Sequence, residues 1–510
     1  MSDPRPWNPA AALGAAFAVA TALVGGACGA SQVTDTPKAA ASQPPASPLV
    51  ALRIVLSVGA VEDPPGKEGL ASLTAHMVAR GGTAKRSYAQ VLNAMYPLAA
   101  NIDVYVTKEQ TVFAGTIHRD NLQAYTELLS EHLLSPRMSD KDFERLKKSA
   151  VDHVTKTLRS NDDEELGKHG LHDLMYRGHP YQHPNAGTVS GLANIALADV
   201  KAFYAKYYAA DRLHIGVGGG APEGFQNRLT KGLTDKLAAT SPVRAALPKA
   251  PTAAGPTVMI VEKATRSVAV SMGHPLPITR RDDDFYPLFV AASYLGEHRT
   301  FNGVLMRNMR GKRGLNYGDY AYIEMFIQDG WSTFPLPNIQ RRQQHFEIWI
   351  RPVVPANAPF AIKQAIYETA KLVREGIPQQ GFEDTKSYLA SFCRLWTQSA
   401  GRRLGYVMDG KLVGREIAAE LVRRLPTMTR DQVNRAIRKY LRPDQLRIVA
   451  VARDAAALRD ALVSGKATPI VYDTKGTPAD ILAEDKRIEV FKLGLDAANV
   501  STVPAEKLFQ

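Results

Sequence analysis

The chain has 510 residues, which is long for a single hydrophobic core and favours at least two domains. Hydrophobic residues make up 45% and charged residues 22%, a balance that excludes a largely disordered chain. The net charge of +13 permits anionic partners, but Lys and Arg are spread along the whole chain without a nucleic-acid motif, so no nucleic-acid function is expected.

The N-terminus has the layout of a signal peptide. A basic residue precedes an apolar, Ala-rich run that is short for a transmembrane span. Cys28 stands where a lipoprotein cysteine would, but Gly25 occupies the place usually taken by leucine, so lipidation at Cys28 and ordinary cleavage after Ala30 both stay open. We therefore predict a signal peptide at 1–30 and a Pro-, Ala- and Ser-rich tether at 31–48. Such a protein is exported to the periplasm or cell envelope, with membrane attachment if Cys28 is lipidated.

Farther along the chain, apolar and alternating stretches predict strands separated by long helices. The strand candidates, in chain order, are ALRIVLSVGA, NIDVYVTKEQTVFAGTI, LHIGVGG, TVMIVEK, SVAVSMG, HFEIWIRPV and LRIVAVAR. This alternation fits an α+β arrangement in which helices pack on one face of a sheet.

Two distant parts of the chain resemble each other. VKAFYAKYYAADRLHIGVGGG pairs with VNRAIRKYLRPDQLRIVAVARD, and upstream segments place Phe143 opposite Phe382. The chain is therefore predicted to contain two copies of one unit. The expected boundaries are an N-terminal domain at 49–238, a Pro- and Ala-rich linker at 239–257, a C-terminal domain at 258–466 and an extension at 467–510 that adds a strand or two.

Five segments, taken in order, carry a family resemblance: GAVEDPPGKEGLASLTAHMVARGGTAKRS, SPRMSDKDFERLKKSAVDHV, HPYQHPNAGT, LADVKAFYAKYYAADRLHIGVGG and MRNMRGKRGLNY. Together they resemble the pitrilysin/insulinase family of zinc metallopeptidases, above all its short two-domain bacterial members and the mitochondrial processing peptidase subunits. The resemblance spans Leu49 to Asp454. It implies two homologous metallopeptidase-like α+β domains, each a mainly antiparallel sheet with helices packed on one face.

Active members of that family carry an inverted zinc motif, H-x-x-E-H, on the first helix, and a glutamate ligand on a later helix. According to the resemblance, Ser72 occupies the position of the first histidine, Ala75 that of the glutamate base and His76 that of the second histidine. His153 occupies the position of the later glutamate ligand. The motif is thus degenerate, and no catalytic residue is expected. His76 and His153 remain either as a weak or vestigial metal pair or as two core histidines. A general base typically contributes about 10² to 10⁴-fold, so cleavage by the isolated chain is not expected.

A second histidine-rich stretch, HGLHDLMYRGHPYQHP, contains a family loop made rigid by Pro180 and Pro184. No zinc site is expected there.

The C-terminal half keeps more of the family's pattern. Arg310 and Tyr317 match the arginine and tyrosine with which family members grip the substrate backbone, and both side chains can donate hydrogen bonds to peptide carbonyls. An extended peptide would add to a sheet edge in NIDVYVTKEQTVF, near Asn101 and Asp103. The family's opening strand has no expected counterpart before Leu49, since the tether leads directly into the strand that begins there.

Three functions stay open at this point. The leading hypothesis is a non-catalytic peptide-binding subunit, with no cofactor of its own, that pairs with a homologous zinc-bearing peptidase subunit in peptide processing or degradation. One alternative is a stand-alone peptide-binding or scaffold protein of the envelope. The other is a metallopeptidase that uses an unusual metal site at His76 and His153.

Overall fold

The computed structural model describes residues 47–328, 330, 332–473 and 475–510. The predicted signal peptide, nearly all of the tether and Cys28 lie outside these residues. Within the described ranges, no helix is both long enough and apolar enough to span a membrane.

The first half of the described chain carries strands β1 (Leu49–Leu56), β2 (Asp103–Val106), β3 (Thr111–His118) and β4 (Leu213–Gly219). Its helices are α1 (Leu70–Arg80), α2 (Tyr88–Met95), α3 (Leu122–Leu134), α4 (Asp140–Asp152), α5 (Asp163–Met175), α6 (Val189–Asn194), α7 (Leu197–Tyr207) and α8 (Phe225–Thr234). A run of wide π-helical turns, His153–Asn161, joins α4 to α5.

The second half carries strands β5 (Thr257–Glu262), β6 (Val268–Leu276), β7 (Asp319–Tyr322), β8 (Gln344–Val353), β9 (Arg447–Ala452) and β10 (Val500–Pro504). Its helices are α9 (Phe285–Gly296), α10 (Ala358–Glu375), α11 (Gln379–Leu395), α12 (Ala400–Val413), α13 (Ile417–Arg424), α14 (Arg430–Tyr440), α15 (Ala455–Val463) and α16 (Ala479–Ile488). A second π-helical segment, Met306–Gly311, precedes β7.

The strands form two sheets, one in each half. The first has the order β2-β3-β1-β4 and is antiparallel throughout. The second has the order β10-β5-β9-β6-β8-β7, with parallel pairs only at β10-β5 and β5-β9. Each sheet packs against helices of its own half around a separate hydrophobic core. The predicted fold class, two homologous α+β units built on mainly antiparallel sheets, is confirmed.

The two halves also exchange one helix each. Helix α5 of the first half packs on β6 and β9 of the second sheet, while α12 of the second half packs on β1 and β4 of the first sheet. Glycines permit the close approach: a Cβ at Gly216 of β4 would lie 2.4 Å from the Met408 sulfur of α12. The second face of each sheet is therefore covered by the opposite half.

The predicted extension adds one strand and then returns to the first half. Strand β10 pairs in parallel with β5 at the edge of the second sheet. Beyond it, the carbonyl of Leu508 accepts a hydrogen bond from Arg159 Nε at 2.6 Å, and the carbonyl of Phe509 accepts one from the Val189 amide at 3.0 Å. The described strands of the first half include no counterpart of β5, in line with the missing opening strand.

A buried polar network crosses the boundary between the halves. Arg280 makes a two-pronged contact with Glu324, Nε to Oε2 at 2.9 Å and Nη2 to Oε1 at 2.8 Å. Its Nη1 lies 3.6 Å from Oδ2 of Asp409, whose carboxylate also accepts hydrogen bonds from Asn338. The Asn338 side chain in turn accepts a hydrogen bond from Arg53 of β1 at 2.8 Å. These contacts tie strand β1 to helix α12 and to the loop after β6.

Replacing Gly115 by alanine is expected to destabilise the first sheet by roughly 1–3 kcal/mol, the usual cost of overpacking. A Cβ at this position in β3 would lie 2.0 Å from Tyr125 Oη and 2.9 Å from the carbonyl of Asn101, to which that hydroxyl donates. The matched control is Gly232→Ala on α8, where an added Cβ meets nothing within 4 Å. There the free energy of unfolding, measured by urea denaturation, should rise by about 0.5–1 kcal/mol because alanine favours a helix. Equal stability of the two variants would contradict the prediction.

Candidate active site

The degenerate zinc motif lies on α1, at the start of the first half's core. Both oxygens of Asp63 accept hydrogen bonds from the first amides of this region, Gly69 at 2.8 Å and Ala71 at 2.7 Å, which fixes where the helix begins. Ala75 is fully buried, while Ser72 and His76 are half-buried. His76 Nδ1 lies 2.8 Å from the Ser72 carbonyl, and burial lowers the pKa of His76 to about 4.

His153 is the first residue of the π-helical run that follows α4. It therefore lies where the chain changes from α-helical to π-helical geometry. Burial first, and then the neighbouring imidazoles of His169 and His76, lower the pKa of His153 to about 4. The carboxylate that acts on it is Glu165, which is paired with Lys168 Nζ at 2.6 Å. At neutral pH these imidazoles are therefore uncharged, with an already paired carboxylate beside them.

These residues do not fit the family's three-ligand zinc site. An alcohol and a methyl group occupy two of the motif positions, and an imidazole replaces the glutamate ligand. Among the described residues, neither His76 nor His153 belongs to a group of three metal-ligating side chains whose ligand atoms lie within 4.8 Å of one another. No hydrolytic step is therefore derived through a metal at this position.

Asn101 and Asp103 mark the start of β2, the edge strand of the first sheet. Asn101 Nδ2 donates to Asp103 Oδ1 at 2.6 Å, and the Asn101 carbonyl accepts from Tyr125 Oη at 2.9 Å. Burial raises the pKa of Asp103, while Arg80 and Arg53 act to lower it. Strand β2 packs beside α1, so the exposed edge lies next to the helix that carries His76.

Arg310 and Tyr317 come together on the surface of the second half. The Arg310 guanidinium lies 5.1 Å from the centroid of the Tyr317 ring and 5.4 Å from that of Phe301. Tyr317 is 69% exposed and Phe301 68% exposed, which is unusual for large aromatic side chains. A cation held between two exposed rings can donate hydrogen bonds while the rings offer apolar contact.

Hydrogen bonds to α16 and to β8 fix the segment that carries Arg310 and Tyr317. Arg313, three residues after Arg310, donates from Nε to Asp485 at 2.7 Å and from Nη2 to Glu484 at 2.9 Å, both on α16 of the C-terminal extension. Asn316 Nδ2 donates to Asp319 and to the Arg351 carbonyl, at 2.6 Å and 2.9 Å. The extension, which had no predicted role in the site, thus supports the Arg310 segment.

The first turn of α5 connects the two candidate regions. Glu164 pairs with Arg351 at 3.0 Å, and the Arg351 guanidinium lies 6.0 Å from the centroid of the Tyr317 ring. The next residue, Glu165, acts electrostatically on His153. The degenerate zinc position and the arginine-tyrosine pair are therefore linked through two consecutive residues of one helical turn.

Sequence reasoning missed a third group, formed by His172, His345 and Glu347. All three side chains are buried, and they form a group whose ligand atoms lie within 4.8 Å of one another. His172 belongs to the stretch in which no zinc was expected, where His179 and His183 lie close to the Pro248 and Pro184 carbonyls. The only signal in the sequence was the pair His345 and Glu347 at strand spacing, which lies far from His172 along the chain.

Comparison with known proteins agrees with this architecture. Residues 38–189 match the family model for insulinase (peptidase family M16), and residues 194–389 match the model for the peptidase M16 inactive domain. An uncharacterised zinc protease of Bacillus subtilis, YmxG, is 20% identical over 408 residues, 78% of this chain and 91% of the relative. The mitochondrial-processing peptidase subunit beta of Neurospora crassa is 21% identical over 235 residues, 45% of this chain and 48% of the relative.

Among solved structures, a peptidase M16 inactive domain protein from Pseudomonas fluorescens superposes with a TM-score of 0.69. It is 21% identical, and the match covers 79% of this chain and 92% of that protein. At this identity the similarity establishes a shared fold.

Proposed function

Because the chain belongs to the insulinase (M16) peptidase family, we propose that it is a non-catalytic peptide-binding subunit that pairs with a homologous, zinc-bearing peptidase subunit. The observation that carries the proposal is the exposed stack of Arg310 and Tyr317 in a chain whose zinc motif has lost two of its positions, Ser72 and Ala75. In this proposal the partner supplies zinc and the water-activating carboxylate. This chain supplies hydrogen-bond donors for the substrate backbone.

The bound peptide would lie extended along β2. Main-chain pairing at this edge gives affinity with little sequence selection, and Asn101 and Asp103 lie where the strand begins. Arg310 and Tyr317 would donate to carbonyl groups of the same peptide. We further propose that the complex acts in the periplasm or at the cell envelope, after export directed by the N-terminal residues and with lipid attachment if Cys28 is modified.

The test is reconstitution of the full chain with the family member from the same genome that has an intact H-x-x-E-H motif. We expect the pair to co-elute and to cleave a fluorogenic peptide, and we expect each subunit alone to be inactive. Chelator-sensitive cleavage by this chain alone would overturn the proposal in favour of an unusual metallopeptidase. Peptide binding without any association would favour the stand-alone binding protein.

Arg310→Ala is expected to lower kcat/KM of the reconstituted pair about 10- to 100-fold, the effect of losing a charge-assisted hydrogen bond worth about 1.5–3 kcal/mol. Tyr317→Phe keeps the ring and removes only the hydroxyl donor, so its loss should be smaller. The matched control is Arg307→Ala, an exposed arginine on the same π-helical segment. If Arg307→Ala and Arg310→Ala lower the rate equally, the grip on substrate lies elsewhere.

A further inference from the structure

The group formed by His172, His345 and Glu347 has the spacing of ligands around one small cation. The two histidine Nε2 atoms lie 3.3 Å apart. Glu347 Oε2 lies 3.6 Å from His172 Nε2 and 3.4 Å from His345 Nε2. Tetrahedral zinc with bonds of about 2.0–2.1 Å places its ligand atoms about 3.3–3.4 Å apart. Hydrogen bonds from the imidazoles to the carboxylate would instead be about 2.7–3.2 Å long.

The Glu347 carboxylate lacks other compensation for its burial. Its side chain is 1% exposed, and among the described residues the groups that favour its charged form are the two imidazoles, at 3.4 and 3.6 Å, longer than ordinary hydrogen bonds. Two nearby cations make contacts of their own, and among the described residues neither forms an ion pair with Glu347. Lys168 Nζ pairs with Glu165 and lies over the Trp349 ring, while Arg341 donates to the Met325 sulfur and lies over the Tyr181 ring. Burying a carboxylate is costly, and a divalent cation held between it and the two imidazoles would offset that cost more fully than the imidazoles alone.

The three side chains project from rigid elements. His345 and Glu347 alternate along β8, so they lie on the same face of a strand that is paired on both sides. His172 is on α5, which approaches the sheet closely at two glycines. A Cβ at Gly167 would lie 3.5 Å from Ser271 Oγ, and one at Gly170 would lie 3.2 Å from a Val449 methyl. The helix cannot move away from the sheet without breaking this packing, so the ligand positions are preorganised.

We propose that His172, His345 and Glu347 bind a structural zinc ion that fastens helix α5 of the first half to the sheet of the second half. The three side chains are 7%, 0% and 1% exposed, so a peptide does not reach the site. The position differs from that of the family's zinc motif on α1, and the proposal does not depend on peptide binding or on a partner. Three protein ligands leave the fourth position to a water molecule.

The full chain, stripped with chelator and then dialysed against zinc, is expected to retain about one zinc ion per chain by elemental analysis and to gain thermal stability. Cobalt introduced in place of zinc should give the visible absorption bands of a tetrahedral site. Glu347→Gln, which keeps the side-chain volume, should weaken zinc binding at least about 100-fold because it removes the anionic ligand. His172→Ala tests the same site from the helix and is the second variant if Glu347→Gln does not fold.

The order of stabilities gives an independent readout. Zinc should raise the melting temperature of the wild type, and it should raise that of Glu347→Gln much less, because the variant lacks the anionic ligand. The control His76→Ala should retain zinc. Absence of stoichiometric zinc in the folded wild type, or binding by Glu347→Gln equal to that of the wild type, would overturn the proposal. Loss of zinc on His76→Ala alone would also overturn it and place the metal on α1.

Discussion

Replacing Arg280 by methionine is expected to lower the free energy of unfolding by about 3–5 kcal/mol at pH 7, the usual cost of breaking a buried ion pair. Arg280 is 1% exposed and is the cation shared by Glu324 and Asp409, which are 7% and 1% exposed. Methionine fills similar space but leaves two buried carboxylates without their partner. Equilibrium unfolding in urea measures the loss.

The neighbouring arginine provides a matched control. Arg281 is exposed and, among the described residues, its side chain donates hydrogen bonds to the carbonyls of Val413 and Leu412, so Arg281→Met should cost less than about 1 kcal/mol. The double variant Arg280→Met/Glu324→Gln should recover part of the loss. The deficit of Arg280→Met should also shrink towards pH 5, because burial raises the pKa of Asp409 to about 6 and this carboxyl then takes up a proton. Equal costs for the two arginines would mean that the network contributes no stability.

The Asp319→Asn variant should become progressively more stable than the wild type as pH rises from about 4 to about 8. Asp319 lies two residues after Tyr317, is fully buried, and has one oxygen, Oδ2, that accepts no hydrogen bond from the described residues. Burial raises the pKa of this carboxyl to about 8. The folded protein then holds the proton more tightly than the unfolded chain does, and stability falls with rising pH by about 1.4 kcal/mol per unit.

Comparison of variant with wild type is needed because other groups titrate nearby. Burial also raises the pKa of Glu297 to about 7, whereas it lowers the pKa of His298 to about 3, and these two shifts act on stability in opposite directions. The difference in unfolding free energy between Asp319→Asn and wild type isolates one carboxyl. Asp480→Asn, which changes an exposed side chain, is the control. A pH-independent difference for Asp319→Asn would contradict the prediction.

Much of the fold follows from local sequence patterns. Apolar and alternating runs predicted β1 to β6, β8 and β9, and the matched segments around Phe143 and Phe382 lie on α4 and α11. Strands β7 and β10 were missed as individual elements; they have four and five residues and, unlike the four-residue β2, do not stand beside another strand signal in the sequence. A short segment carries too little periodicity to be distinguished from a loop.

Long-range side-chain assembly could not be predicted in the same way. Arg310 and Tyr317 lie close together in the sequence and in space, so their motif was sufficient to identify them. Nothing in the stretch around His172 indicated that α5 crosses to the other half, and Arg280 and Arg281 look alike in sequence although one is buried and one exposed. Burial and ligand geometry of this kind depend on which sheet a helix meets.

The exchange of α5 and α12 between the halves has a mechanical consequence. A hinge motion that swung the two halves apart would have to pull α5 off the second sheet and α12 off the first, exposing apolar surface on both at once. The C-terminal residues bound to the first half add a further restraint. The described chain is therefore expected to move as one body, without a hinge between its two halves.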